Sequence, residues 1–108
     1  MDNGEQQEYV RQVLDAYRRT PGTLGTVRSP DRLLAAQLYE RGIDATVIEN
    51  ALLLAAARRL FRDDAASPLA PIRSFAYFRP VIEEVLTLNV GREYFEHLRR
   101  KIARLRRG

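Results

Sequence analysis

The sequence predicts an all-α fold, a compact bundle of about five helices, and three observations carry that reading. The stretch from Asp44 to Arg62, DATVIENALLLAAARRLFR, is apolar on every side in its middle, as only a helix enclosed by others is. Helix punctuation is sharp: Ser29-Pro30-Asp31 opens one helix and Gly42 closes it, immediately before Asp44 opens the next. No segment alternates in the manner of a half-buried strand. The expected organisation is one domain over residues 1–108, with a core from about 5 to 88 and a basic C-terminal helix from about 92 to 107.

In chain order, the first helix is expected from about Gly4 to Arg19, with Asn3 as N-cap and Gln6 three residues on. Tyr9, Val10, Val13, Leu14 and Tyr17 form its apolar stripe. Thr20, Pro21 and Gly22 stop it, and the segment to Arg28 is a loop by composition. Its Gly22-Thr-Leu-Gly25 matches the GxxG that clamps a nucleic-acid backbone in KH domains. That loop belongs to a fold with strands, so an ordinary connection is the favoured reading.

The second helix has Ser29 as expected N-cap, Pro30 at the first helical position and Asp31 in the first turn. Gly42 suits a left-handed C′ position, with Ile43 folding back onto Leu38. Asp44 then caps the central helix, so the second and third helices meet at a hairpin or a steep helix-turn-helix corner. A DNA-reading helix would present polar side chains to the major groove. Here alanines and leucines stand in their place, which makes the central helix core.

Asp63 to Pro71 reads as a loop. Ser74 is the expected cap of a helix starting near Phe75, and Pro80 kinks that helix or marks its true start. Phe78, Ile82 and Leu86 are spaced four apart along one face. Phe75, Tyr77 and Phe78 are more aromatics than one narrow stripe buries: they fill the core or, in the alternative, form a base-stacking platform. From Arg92 to Arg107, Tyr94, Phe95, Leu98, Ile102 and Leu105 make a seam near heptad spacing. That seam docks on the domain or on a second copy.

Charge singles out this last helix. The chain carries +4, yet six cations, Arg99, Arg100, Lys101, Arg104, Arg106 and Arg107, lie in its last ten residues, so the remainder is net negative. Seventeen of eighteen cations are arginine. That ratio suits bidentate phosphate contacts, and a GC-rich genome yields it as well. Six cations so close together exceed what a helix C-terminus needs for its dipole.

The order of features resembles the C-terminal domain of DnaD-like primosomal and phage or plasmid replication proteins. Tyr17, the turn Arg41-Gly42-Ile43 and Phe78-xxx-Ile82-xxx-Leu86 stand where that family has a tyrosine early in its first helix, an RGI-type turn and a Y-xxx-I-xxx-W helix. Phenylalanine replaces the family's tyrosine, leucine its tryptophan, and Pro80 falls inside the motif. The resemblance spans about Tyr9 to Leu88. It implies DNA binding without catalysis, in replication or a mobile element, with a basic tail adding affinity.

Other chemistries find little footing. Without cysteine there are no disulfides, thiolate zinc sites or iron–sulfur clusters. His97, the only histidine, sits among charges on an exposed-looking face. Asp63-Asp64 falls in a loop, and Glu83 and Glu84, as helix neighbours, do not face each other. No nucleotide loop, nucleophile elbow or zinc spacing is present. The expectation is a protein with no catalytic residues, no metal and no cofactor. The polar start MDNGEQQEY resembles no targeting segment, and the longest apolar run, Ala51 to Ala57, falls short of a membrane span, so a cytoplasmic location is expected.

Two functions follow. The first is a nucleic-acid-binding accessory domain that takes DNA phosphates through Arg99, Arg100, Lys101, Arg104, Arg106 and Arg107, with little sequence specificity. Arg58, Arg59, Arg62, Arg73 and Arg79 would join them if they converge on one surface, as is expected here. The second is an assembly module whose last helix pairs with a partner or a second copy through Leu98, Ile102 and Leu105.

Overall fold

The computed structural model describes residues 3–62, 68–88 and 92–107. Five helices run in order: α1 (Asn3–Arg19), α2 (Ser29–Glu40), α3 (Ala45–Leu60), α4 (Arg79–Thr87) and α5 (Arg92–Arg107), with a 3-10 turn, Phe75–Phe78, leading into α4. No strand occurs among the described residues. One parallel bridge, Thr23 to Ile72, ties the two long connections together. Gly22 turns there with φ +94, and its carbonyl accepts the Ile72 N–H at 2.7 Å. The Gly22 to Gly25 stretch is thus a pinned connection, and no KH-type sheet accompanies it among the described residues.

The central helix is enclosed as its composition predicts. Ile48, Ala51, Leu52 and Ala55 of α3 pack into a core with Val13, Leu14 and Tyr17 of α1, Leu34, Ala35 and Leu38 of α2, and Phe75, Phe78 and Ile82. Around the same helix, Leu54, Ala56 and Ala57 meet Phe95, Leu98 and Ile102 of α5 in a second cluster. Small alanines on both faces let helices approach from two sides.

The corner between α2 and α3 has the Schellman geometry expected of it. Gly42 has φ +75 and donates to the Tyr39 carbonyl at 2.9 Å, while Ile43 donates to Leu38 at 3.2 Å. Asp44 then caps α3 by accepting the Thr46 N–H at 2.8 Å. α2 packs on α1 and on the 3-10 turn rather than alongside α3, so the corner is steep and not a hairpin.

The other caps differ from expectation. Arg28, not Ser29, is the N-cap of α2, because Asp31 reaches back to accept the Arg28 N–H at 2.8 Å. The second oxygen of Asp31 accepts the Phe75 N–H at 2.9 Å, so the cap assigned to Ser74 comes from a carboxylate 44 residues earlier. Asp31 is buried in doing so. α1 begins at Asn3, whose side chain lies outside the described residues, as do positions 63–67 of the expected loop.

Pro80 marks the start of α4 rather than a kink within it. Phe78 and Ile82 are fully buried, but Leu86 is 40% exposed. At 3.6 residues per turn, positions eight apart are rotated by about 80°, so an i, i+4, i+8 line leaves the core within two steps. Val81 and Val85 complete the packed face instead.

Candidate nucleic-acid interface

α5 owes its orientation to its apolar edge. Phe95, Leu98 and Ile102 turn into α3 and are buried, so of the two expected placements of this seam, on the domain or on a second copy, Leu98 and Ile102 take the first. Leu105, further along the same seam, is exposed, at 51%. One helix edge cannot cover both its own core and a partner.

The cations follow by rotation. With Leu98 and Ile102 inward, Arg100 and Arg104 lie on the opposite ridge, four residues and about 6 Å apart along the axis. Arg99 and Lys101 flank that ridge. Arg99 donates to the Asn50 side-chain oxygen at 3.3 Å, and Lys101 lies 4.5 Å above the Phe61 ring just past the end of α3. None of these four cations forms an ion pair with a described residue. The last turn of α5 includes Arg106 and Arg107, whose side chains lie outside the described residues.

The arginines of α3 are placed otherwise. Arg58 donates to both oxygens of Glu84, Nη1 to Oε1 at 2.8 Å. That guanidinium holds the Glu84 carboxyl below its ordinary range. Glu83, rotated by one helix position, pairs instead with Arg41 at 2.6 Å. The two adjacent glutamates thus join α4 to two different elements and share no site, in keeping with their sequence spacing.

Arg59 is a latch. It donates to the Tyr77 hydroxyl at 3.2 Å and to the Ala70 carbonyl at 3.0 Å, and its guanidinium lies 5.7 Å from the Tyr77 ring centre. It also passes so close to Gly22 that a Cβ there would come within 3.0 Å of Arg59 Nε.

Arg58, Arg59 and Arg62 line one surface pocket of about 420 Å³ at the end of α3, floored by Ala55, Leu69 and Val81 and walled by Tyr77. Neither Arg73 nor Arg79 lines it; Arg79 lies near Glu83, whose pKa its charge helps to lower. Of the five arginines expected to converge on one surface, Arg58, Arg59 and Arg62 share this pocket. Lys101, over Phe61, brings the α5 cations up to that same end of α3.

The aromatics divide in the same way. Phe75 and Phe78 are fully buried around Tyr17, at ring distances of 5.5 and 6.0 Å, so they are core. Tyr77 is 46% exposed. Hydrophobic spacing alone does not separate three aromatics within four positions, because which one faces out depends on where the 3-10 turn begins.

A second groove, of about 350 Å³, runs between α1 and α5 over Leu52, Leu53 and Ala56, with Arg19 and Arg99 on its rim. Arg19 is not among the cations expected from the sequence to meet phosphates; it stands in the last turn of α1, where a cation offsets the helix dipole. Among the described residues no three His, Cys, Asp or Glu side chains gather as a metal site, and no helix is long and apolar enough to cross a membrane. No family model, curated protein or solved structure matches this chain.

Proposed function

We propose that this domain is a non-catalytic nucleic-acid-binding module, of DNA replication or mobile-element type as the DnaD-like resemblance implies, that takes phosphates through α5. The observation that carries the reading is the division of labour around that helix. Its apolar edge is committed to α3, and Arg99, Arg100, Lys101 and Arg104 face outward without a carboxylate partner among the described residues. Elsewhere Arg11, Arg18, Arg41 and Arg58 are each matched to an acid, and the arginines without an ion pair among the described residues, such as Arg19, Arg32, Arg73 and Arg79, are scattered over separate elements and connections. The rise of about 6 Å from Arg100 to Arg104 is close to two phosphate steps of about 3.4 Å along one strand. Arginine at that spacing suits bidentate contacts to phosphates two steps apart on one strand, which carry no base information.

The test is the anisotropy of labelled double- and single-stranded DNA between about 50 and 200 mM salt. Four phosphate contacts give a log–log slope of about −3.6 on duplex, or roughly a 150-fold loss of affinity across that window. Arg100→Gln with Arg104→Gln should reduce the slope by about 1.8 while leaving the fold intact, since both side chains are exposed. No binding to either DNA at low salt, or an unchanged slope in the double variant, removes the reading. Truncation before α5 is a poorer test, because it strips Leu98 and Ile102 from the core.

A further inference from the structure

The pocket at the end of α3 has the composition of a base-binding subsite rather than a phosphate site. In the fold Arg58 is already held by Glu84, and Arg59 by Tyr77 and Ala70. What the pocket offers a ligand is a half-exposed aromatic wall, Tyr77, above an apolar floor of Ala55, Leu69 and Val81. Its volume of about 420 Å³ lies within the roughly 300–1,000 Å³ of small-ligand pockets.

Tyr77 is held in place from two sides. The buried Phe78 ring meets it in a T-shaped contact at 5.1 Å, and Arg59 holds its hydroxyl. A ring fixed in this way loses little freedom when another ring stacks on it. The Arg59 guanidinium, which lies over one face of the Tyr77 ring, is itself a flat, cationic surface of the kind that bases stack against. Lys101 of α5 lies over Phe61, at the same C-terminal end of α3 as the pocket, although Phe61 does not line it.

We propose that this pocket holds one unstacked nucleobase of a single-stranded nucleic acid against Tyr77, while the backbone of the same strand runs to the cations of α5. The inference rests on the phosphate-binding reading of α5 and adds to it a preference for single strands, because a duplex keeps its bases stacked and out of reach.

The experiment separates base from backbone. Affinities are measured for a labelled oligothymidylate, for an abasic oligomer of the same length and charge, and for a duplex, with the wild-type chain, Tyr77→Ala and Tyr77→Phe. The wild type should bind the thymidylate about 5- to 150-fold tighter than the abasic strand, the range that stacking of one base supplies. Tyr77→Ala should abolish that ratio and leave the salt slope unchanged, whereas Tyr77→Phe should keep the ratio, since the ring and not the hydroxyl does the stacking. Circular dichroism of both variants should match the wild type, Tyr77 being half-exposed. Equal binding of thymidylate and abasic strands by the wild type, or a base preference that survives Tyr77→Ala, overturns the proposal while the α5 reading stands. Duplex binding without single-strand binding does the same. Failure to bind any of the three overturns both.

Discussion

Asp31 closes one end of the main core by giving one oxygen to the start of α2 and the other to the 3-10 turn before α4. Close by, Tyr17 is fully buried, and neither its hydroxyl nor that of Tyr9 meets a hydrogen-bond partner among the described residues. Burial, with the Asp44 charge second, pushes Tyr9 from its ordinary value of 10.0 to about 12. Burial and then Asp31 push Tyr17 upward too. The folded chain therefore holds these phenolic protons more tightly than the unfolded chain does. The sign follows: their contribution to stability is intact below pH 10 and is lost as pH rises through about 12. A urea midpoint that is flat up to that range and then falls is the expected result, with tyrosinate absorbance from these two side chains arising together with the loss of helical dichroism. Ionisation of all five tyrosines with helix content unchanged would count against it.

At the scale of an element, the corner between α2 and α3 shows how much one backbone angle decides. Gly42 at φ +75 lets α2 end in two hydrogen bonds and turns Ile43 into the core beside Leu38. An alanine there meets no neighbour, so the cost of Gly42→Ala is conformational alone, about 1–2 kcal/mol in urea unfolding. A neutral substitution would mean that the turn is not left-handed in solution. α4 gives the complementary case: its glutamates, adjacent in sequence, diverge by one helix step and stitch α4 to Arg41 after α2 and to Arg58 of α3. Both carboxyls are held below their ordinary value by those arginines, so the stitches are present above it and lost as pH falls through the depressed values.

For the molecule as a whole, α5 is structural as well as basic. It covers the face of α3 that α1, α2 and α4 leave open, and its cations face out because its apolar edge faces in. Leu98→Ala should therefore destabilise the entire chain by about 2–4 kcal/mol, read from chemical denaturation. A tail merely appended to a finished core would leave the midpoint unchanged. Together with the substitutions of Arg100 and Arg104, which should alter salt dependence and not stability, this assigns the two edges of one helix to two tasks.

Legible in the sequence were the helical class, the bounds of α1, α2, α3 and α5 to within a residue or two, the enclosure of α3, the left-handed corner and the cationic end, whereas α4 starts at Arg79, four residues after the expected Phe75. All of these rest on period, punctuation and composition, which are local. Tertiary structure decided the rest. It placed Asp31 as the cap of a turn 44 residues away, buried Leu98 and Ile102 against α3 instead of leaving them for a second chain, and left Tyr77 alone exposed among three aromatics. It also gathered Arg58, Arg59 and Arg62 around one pocket without Arg73 or Arg79. In each case the outcome depends on which face of one helix meets another, and a one-dimensional pattern describes faces but not the partners they find.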